Sequence, residues 1–225
     1  MKGIILSAGM GTRLQPLTLN QPKCLVNVAG KPMMEYQLDA IGKAGIRECT
    51  IVVGFMADAV RDHFGSRYRG IAISYVENTD YASTNNLCSL WLAKDQFDDD
   101  ILLLESDLVF DGRVIARLVS LKESNIAVVD RFQSHMDGTV ILAERDTAKS
   151  MVLNTDQSKW FNYSAALKTV NSYRLSTHTP SELIVEEMES FLEDGHSDKY
   201  YEALLGRMIE SGLMEIGVMT KGNNK

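Results

Sequence analysis

Residues Met1-Lys2-Gly3-Ile4-Ile5-Leu6-Ser7-Ala8-Gly9-Met10-Gly11-Thr12-Arg13 decide how this chain is read. Gly3–Ala8 is a strand-length apolar run that opens straight into a turn with two glycines. A continuous run, unlike an alternating one, fits a strand covered on both faces, as in a parallel sheet. A glycine turn at the carboxyl end of such a strand lies where open α/β sheets hold ligands. Glycines let backbone N–H groups approach phosphate oxygens without a Cβ in the way. Arg13 adds a planar fork of donors suited to phosphate. No Gly-Lys-Ser/Thr follows, so this is not a Walker loop. Leu14 stands where a dinucleotide fingerprint needs its third glycine. Taken alone, the glycines fit a plain connecting turn equally well.

Outward from this stretch, strand and helix patterns alternate. Cys24–Val28 is a second short apolar stretch, and Pro32 suits the first turn of a helix carrying Met34, Leu38 and Ile41, which Gly45 ends. Strands are predicted at Glu48–Val53, Ile71–Val76, Ile101–Leu104, Ile126–Val129, Thr139–Ala143, Lys168–Leu175 and Leu213–Met219. Helices are predicted around Ala57, Val60 and Phe64, around Leu87, Leu90 and Trp91, and around Val114, Ile115, Leu118 and Val119. Two more follow, one with Leu183, Ile184, Met188 and Phe191, the other with Tyr201, Leu204, Leu205 and Met208. Strand then helix, repeated, implies right-handed crossovers and a mostly parallel sheet covered on both faces. The strand-rich later part implies a mixed sheet with an antiparallel insertion.

Composition agrees. With 225 residues, 45% of them apolar and 24% charged, the chain reads as one globular domain, 1–225. No apolar run approaches the roughly 18 residues of a membrane span, and the N-terminal run is too short for a signal peptide. Lys plus Arg number 23 against 30 Asp plus Glu, a net charge of −7. That balance argues against a nucleic-acid partner but leaves room for a local anion pocket. Cys24, Cys49 and Cys88 are widely spaced and read as reduced thiols of a cytoplasmic protein. The histidines 63, 135, 178 and 196 have no ligand spacing.

Lys23 follows ten residues after Arg13, set in an extended approach by Pro22. Two cations bracketing one glycine loop suit a polyphosphate. The stretches Leu6–Thr18, Pro22–Val26 and Gly30–Met33 resemble the signature of the sugar-phosphate nucleotidyltransferase superfamily. Tyr81–Leu90, Met136–Val140 and Lys168–Tyr173 resemble its cytidylyltransferase branch, in particular the phosphocholine and 2-aminoethylphosphonate cytidylyltransferases. The resemblance implies a Rossmann-like α/β fold of the nucleotide-diphospho-sugar transferase type. It also implies nucleotide contacts from Leu6, Ser7, Ala8, Gly9, Gly11, Thr12, Arg13 and Lys23. Cytosine contacts are implied from Glu77, Asn78, Ser83, Thr84 and Asn85, although Ser83 or Thr84 equally suits a plain helix cap.

Asp107 closes the strand Ile101–Leu104 at the same sheet edge as the glycine loop. A triphosphate and a phosphate nucleophile repel unless a cation lies between them, and Mg²⁺ uses one or two carboxylates plus phosphate oxygens and water. Asp107 is the expected Mg²⁺ ligand, with Glu105 leaving the strand on the same face. An Asp after a strand also serves commonly as a turn former. The acceptor oxygen is already anionic, so catalysis by Arg13 and Lys23 reduces to positioning and charge stabilisation.

Family members carry a second metal carboxylate near the C-terminus. Glu210 and Glu215 do not match it, and the sequence given ends at Lys225 after Asn223-Asn224, so a shortened chain, a longer fusion or a single protein ligand is expected. For the acceptor, Asp130 and Asp137 are candidates to pair with an ammonium group, and Lys168 and Asn171 to hold the phosphonate. Trp160, Phe161 and Tyr163 form an aromatic group suited to a quaternary ammonium, or to a hydrophobic flap or homodimer contact. The expected activity is Mg²⁺-dependent transfer of CMP from CTP to 2-aminoethylphosphonate, with release of pyrophosphate. Alternatives are phosphocholine as acceptor, a sugar-1-phosphate with another nucleotide, and a non-catalytic nucleotide-binding module.

Overall fold

The computed structural model describes residues 1–122, 124–176 and 181–222. His178 and Asn223-Asn224-Lys225 lie outside the described residues. In chain order the elements are β1 (Lys2–Ser7), β2 (Asn27–Val28), β3 (Lys31–Pro32), α1 (Met33–Lys43), β4 (Glu48–Val53), α2 (Ala57–Phe64), β5 (Arg67–Tyr68), β6 (Ile71–Glu77), α3 (Asn86–Leu92), β7 (Ile101–Glu105), α4 (Gly112–Ser120), β8 (Ile126–Arg131), β9 (Val140–Glu144), β10 (Thr147–Val152), β11 (Ala166–Leu175), α5 (Ser181–Glu193), α6 (Tyr201–Glu210) and β12 (Gly217–Thr220).

One ten-stranded sheet organises them, in the order β5-β6-β4-β1-β7-β11-β8-β12-β10-β9. β6, β4, β1 and β7 are mutually parallel, with Ile5 opposite Ile51 on one side and Leu104 on the other. β11 enters antiparallel to both β7 and β8, and β9 and β10 extend the antiparallel part. β12 returns parallel to β8. The sheet is mixed, as the sequence pattern implies, and its antiparallel part takes up most of the later half.

The strands read as unbroken apolar runs because each face has its own core. Ile4, Leu6 and Leu103 pack with α3, α5 and α6 on one side. Ile5, Leu102 and Leu104 pack with α1, α2 and α4 on the other. Each fully buried Leu or Ile contributes roughly 1.5–3 kcal/mol, so β1 and β7 are fixed from both faces. Their carboxyl ends are thereby rigid platforms.

The short apolar stretch Cys24–Val28 spans a 3₁₀ turn (Lys23–Leu25) and a two-residue bridge to β3, with Cys24 and Val26 buried as anchors of the loop. Two local readings need correction. The last strand is only Gly217–Thr220, because Met214 and Ile216 are buried in the approach to it. β10 is absent from the sequence reading because its period is broken by a bulge between Ala148 and Ser150.

Candidate active site

β1 ends at Ser7, and the chain turns through Gly9 and Gly11 into a 3₁₀ turn, Thr12–Leu14. Gly11 has φ +64°, and a Cβ there would lie 2.9 Å from Lys23 Cβ. Glycine is required twice over, by the left-handed backbone and by the closeness of the Lys23 segment. Thr18 Oγ1 donates to Gly11 O at 2.8 Å and pins the same point. Leu6, Ser7 and Ala8 are buried beneath the loop, whereas Gly9, Thr12 and Arg13 are exposed on it. Gly54, after β4, backs the loop so closely that a Cβ would lie 2.8 Å from Ala8 O.

Across the cleft, Lys23 Nζ stands 3.3 Å from Asp107 Oδ2. Residues far apart in sequence thus meet at the carboxyl ends of β1 and β7. The turn carrying Asp107 is held from below by Gln37, fully buried on α1, whose Nε2 donates to Glu105 O and Leu108 O, both at 2.9 Å. Glu105 is buried beside it. Burial pushes its carboxyl above the usual range; Lys23 pulls it down and Asp107 pushes it up. Arg13 acts electrostatically on both Glu105 and Lys168.

The donor chemistry fits a magnesium ion. Asp107 is partly exposed to the cleft and close to a lysine, and the neighbouring Ser106 Oγ is buried without a hydrogen bond among the described residues. No cluster of three or more potential ligands exists among the described residues. One carboxylate, completed by phosphate oxygens and water, is the coordination Mg²⁺ commonly accepts.

The residues expected to read the base are largely engaged with one another. Asn78 is buried, its amide donating to Thr84 Oγ1 (3.1 Å) and Ser89 Oγ (3.0 Å) while its oxygen accepts from Asp80 N. Ser83 Oγ and Thr84 Oγ1 both donate to Asp80 O. Asn85, not Ser83 or Thr84, caps α3, accepting from Asn86 N at 2.9 Å. Its Nδ2 donates to Asp198 O at 3.2 Å. Glu77 is exposed at the end of β6 and paired with Arg61 at 2.6 Å. Asn78 and Asn85 thus shape the loop with their amides.

Of the residues expected to hold the acceptor, Lys168 donates from Nζ to Thr169 O (3.0 Å), Thr169 Oγ1 (3.2 Å) and Thr139 O (3.3 Å). Burial lowers its ammonium pKa, against the pull of Glu202 and Asp137. Asn171 takes a left-handed backbone, φ 51°, where the pairing of β11 with β8 shifts register. Asn tolerates that conformation better than most residues, and its Oδ1 accepts from Thr169 Oγ1 at 2.9 Å. Asp130 is held by Lys221 at 2.7 Å, and Asp137 is exposed. Phe132 stacks on Tyr163 at 4.1 Å, Phe161 meets Tyr163 edge-on, and Trp160 is exposed.

Gln37 and Glu202 escaped the sequence reading, and Asn86, read there with Thr84 and Asn85 as a group before a helix, has partners that the sequence did not show. Gln37 is a polar residue set among Met34, Leu38 and Ile41 on the buried side of α1. Asn86 bridges the cleft, donating to Glu105 Oε1 at 2.8 Å and accepting from Tyr201 N at 2.9 Å. Glu202 is a buried acid in the first turn of α6 whose carboxyl pKa rises to about 7, through burial first and Glu105 second. Each is a polar residue in an apolar helical pattern, a signal visible in sequence but shared with many surface positions.

Comparison with known proteins gives the family. The nucleotidyl transferase family model matches residues 2–130. A CMP-5'-(3-aminopropyl)phosphonate synthase of Streptomyces rubellomurinus is 33% identical over 213 residues, covering 94% of this chain and 34% of that protein. A 2-aminoethylphosphonate cytidylyltransferase of Lancefieldella rimae is 37% identical over 113 residues, 50% of this chain and 45% of that one. The chain therefore spans less than half the length of these two relatives. The solved structure of the CTP:phosphocholine cytidylyltransferase from Streptococcus pneumoniae superposes with a TM-score of 0.76 at 25% identity, over 100% of this chain and 91% of that chain. The match over β1 to β8, the glycine loop and the Lys23–Asp107 pair agree with one another, and the chain belongs to the nucleotidyl transferase family.

Proposed function

We propose that this chain, acting as one domain, transfers CMP from CTP to a small zwitterionic phosphonate and releases pyrophosphate. The observation that carries the reading is the 3.3 Å approach of Lys23 Nζ to Asp107 Oδ2 at the mouth of the glycine loop. A cation and a carboxylate at that edge suit a metal-bound triphosphate.

In this reading the exposed loop at Gly9 and Gly11 turns backbone donors to the phosphates, and Arg13 holds the leaving pyrophosphate. Lys23 neutralises charge on the α-phosphate as the acceptor oxygen attacks. The attacking phosphonate oxygen is already anionic, so no general base is needed, and fixed cations contribute most of the stabilisation. Mg²⁺ bound at Asp107 would supply charge neutralisation between the two anionic reactants. The helix cap at Asn85 and the loop ordered by Asn78 form the wall against which the base lies. Lys168 lies on the acceptor side.

A second acceptor, phosphocholine, draws support from the Phe132–Tyr163 stack and Phe161 beside β11, since aromatic faces attract quaternary ammonium groups. The test is an acceptor screen with CTP and Mg²⁺, read by pyrophosphate release and by the mass of the CMP adduct. A CMP–aminoethylphosphonate product is expected. Turnover of UTP with a sugar-1-phosphate, or CTP binding without pyrophosphate release for any acceptor, contradicts the proposal.

A further inference from the structure

Asn86, the first residue of α3, stands where three elements meet. Its Nδ2 donates to Glu105 Oε1 at the end of β7 at 2.8 Å, and its Oδ1 accepts from Tyr201 N at the start of α6 at 2.9 Å. It also acts on the neighbouring Glu202 carboxyl, lowering the pKa that burial raises. Hydrogen bonds to carboxylates are among the stronger ones in proteins, so one short side chain fastens α3, β7 and α6 together.

Two of these arms lead to opposite sides of the cleft. Toward α3, Asn86 directly follows the 78–85 loop. That loop is drawn together by Asp80 O, which accepts from Ser83 N and Thr84 N at 3.0 Å each and from both their hydroxyls. Its far end is tied to the chain before α6, where Asn85 N donates to Ser197 O at 2.8 Å and Asn85 Nδ2 to Asp198 O at 3.2 Å. Toward β7, Glu105 lies two residues before Asp107. Gln37 holds the Glu105 carbonyl from α1, at 2.9 Å, while Asn86 holds its carboxylate. The backbone of the metal-side turn is thus fixed from below by Gln37, and its buried side chain is fixed to the 78–85 loop by Asn86.

We infer that Asn86 is a positioning residue that sets the 78–85 loop against the metal-side turn, so that the base of a nucleotide and its Mg²⁺ bind cooperatively. The inference rests on the reading of this cleft as a site for CTP and Mg²⁺. A ligand with both a base and a triphosphate engages both sides of the junction. Ordering one side through the base leaves less to be ordered at the other when the metal binds. A bare triphosphate meets the glycine loop and the turn alone and gains nothing from the junction.

The test is calorimetry on the whole chain with CTP and with inorganic tripolyphosphate, each as the free anion and as its Mg²⁺ complex, with no acceptor present. In the wild type, Mg²⁺ is expected to tighten CTP about tenfold more than it tightens tripolyphosphate. Asn86→Leu keeps the approximate volume and removes every hydrogen bond of the amide. It should bring the two Mg²⁺ effects within about twofold of each other and leave tripolyphosphate binding in place. Asn86→Asp keeps an acceptor for Tyr201 N and loses the donor to Glu105; it should uncouple the ligands in the same way, and it reads the same difference should Asn86→Leu not fold. Equal Mg²⁺ effects on the two ligands in the wild type overturn the inference. So does a folded variant that keeps the tenfold difference, or one in which all four affinities fall alike, the mark of a merely structural role. The two readings fail separately. Coupling that depends on Asn86, without pyrophosphate release for any acceptor, would refute the transfer reaction and leave the inference standing. Transfer from CTP by a wild type without the coupling would do the reverse.

Discussion

Replacing Gln37 by methionine tests how the metal-side turn is held. The change keeps the length and shape of a fully buried side chain and removes two donors, those to Glu105 O and Leu108 O, both at 2.9 Å. A buried carbonyl that loses its donor costs about 1–3 kcal/mol. Two carbonyls give a loss of several kcal/mol, partly offset because Gln37 Oε1 is itself buried without a partner and disappears with the amide. The net is about 2–4 kcal/mol. For a chain of this size each kcal/mol shifts Tm by roughly 2–4 °C, so Tm should fall about 5–15 °C. Because the turn also presents Asp107, a second readout follows. The Mg²⁺ concentration giving half of the CTP-induced stabilisation should rise several-fold, while CTP binding without metal changes little. Thermal unfolding followed against Mg²⁺ at fixed CTP measures both. A variant that melts within about 2 °C of wild type with an unchanged Mg²⁺ midpoint would refute the argument.

Other perturbations carry equally definite expectations. Gly54→Ala puts a Cβ 2.8 Å from Ala8 O, backbone that cannot swing away; overpacking of this kind costs about 1–3 kcal/mol, and CTP affinity should drop with stability in a titration followed by intrinsic fluorescence. Lys23→Met removes the fixed charge opposite Asp107; kcat for pyrophosphate release should fall on the order of a hundredfold, with the fold intact by circular dichroism. Glu202 gives a pH signature. Burial raises its carboxyl pKa from the ordinary 4.5 to about 7, so the folded state holds a proton that the unfolded state releases. Its contribution to stability is therefore greatest below about pH 4.5 and is lost as pH rises to about 7. Glu105 shifts in the same direction; Lys168 opposes the shift at Glu202, and Lys23 opposes it at Glu105. Glu202→Gln should flatten the decline in unfolding free energy across that window; an unchanged pH slope would contradict the assignment.

Much of the fold was legible because its signals are local. β1 and β4 read as unbroken apolar runs since both faces of the sheet are covered, and α1, α2 and α4 show their apolar stripes plainly. β10 was not legible, because its bulge breaks the alternation and pairing with β9 and β12 is settled by tertiary contacts. Within the site, Gly11, Arg13, Lys23 and Asp107 could be read from motif and chemistry. The partners of Asn78, Asn85 and Asp130 could not. Each short polar side chain has several neighbours in three dimensions, and sequence does not say which it will choose. Gln37 and Glu202 were hidden for the opposite reason: a lone polar residue in an amphipathic helix looks like an exposed one until the packing is known.

The central claim is that Lys23 and Asp107 serve the same triphosphate. A double-mutant cycle of CTP·Mg²⁺ affinity, using Lys23→Met, Asp107→Asn and the double variant, measures this directly by calorimetry. Groups 3.3 Å apart that act on one ligand should be coupled, the double variant departing from the sum of the single losses by about tenfold or more. Losses that add to within about 0.5 kcal/mol would show two independent sites and contradict the account.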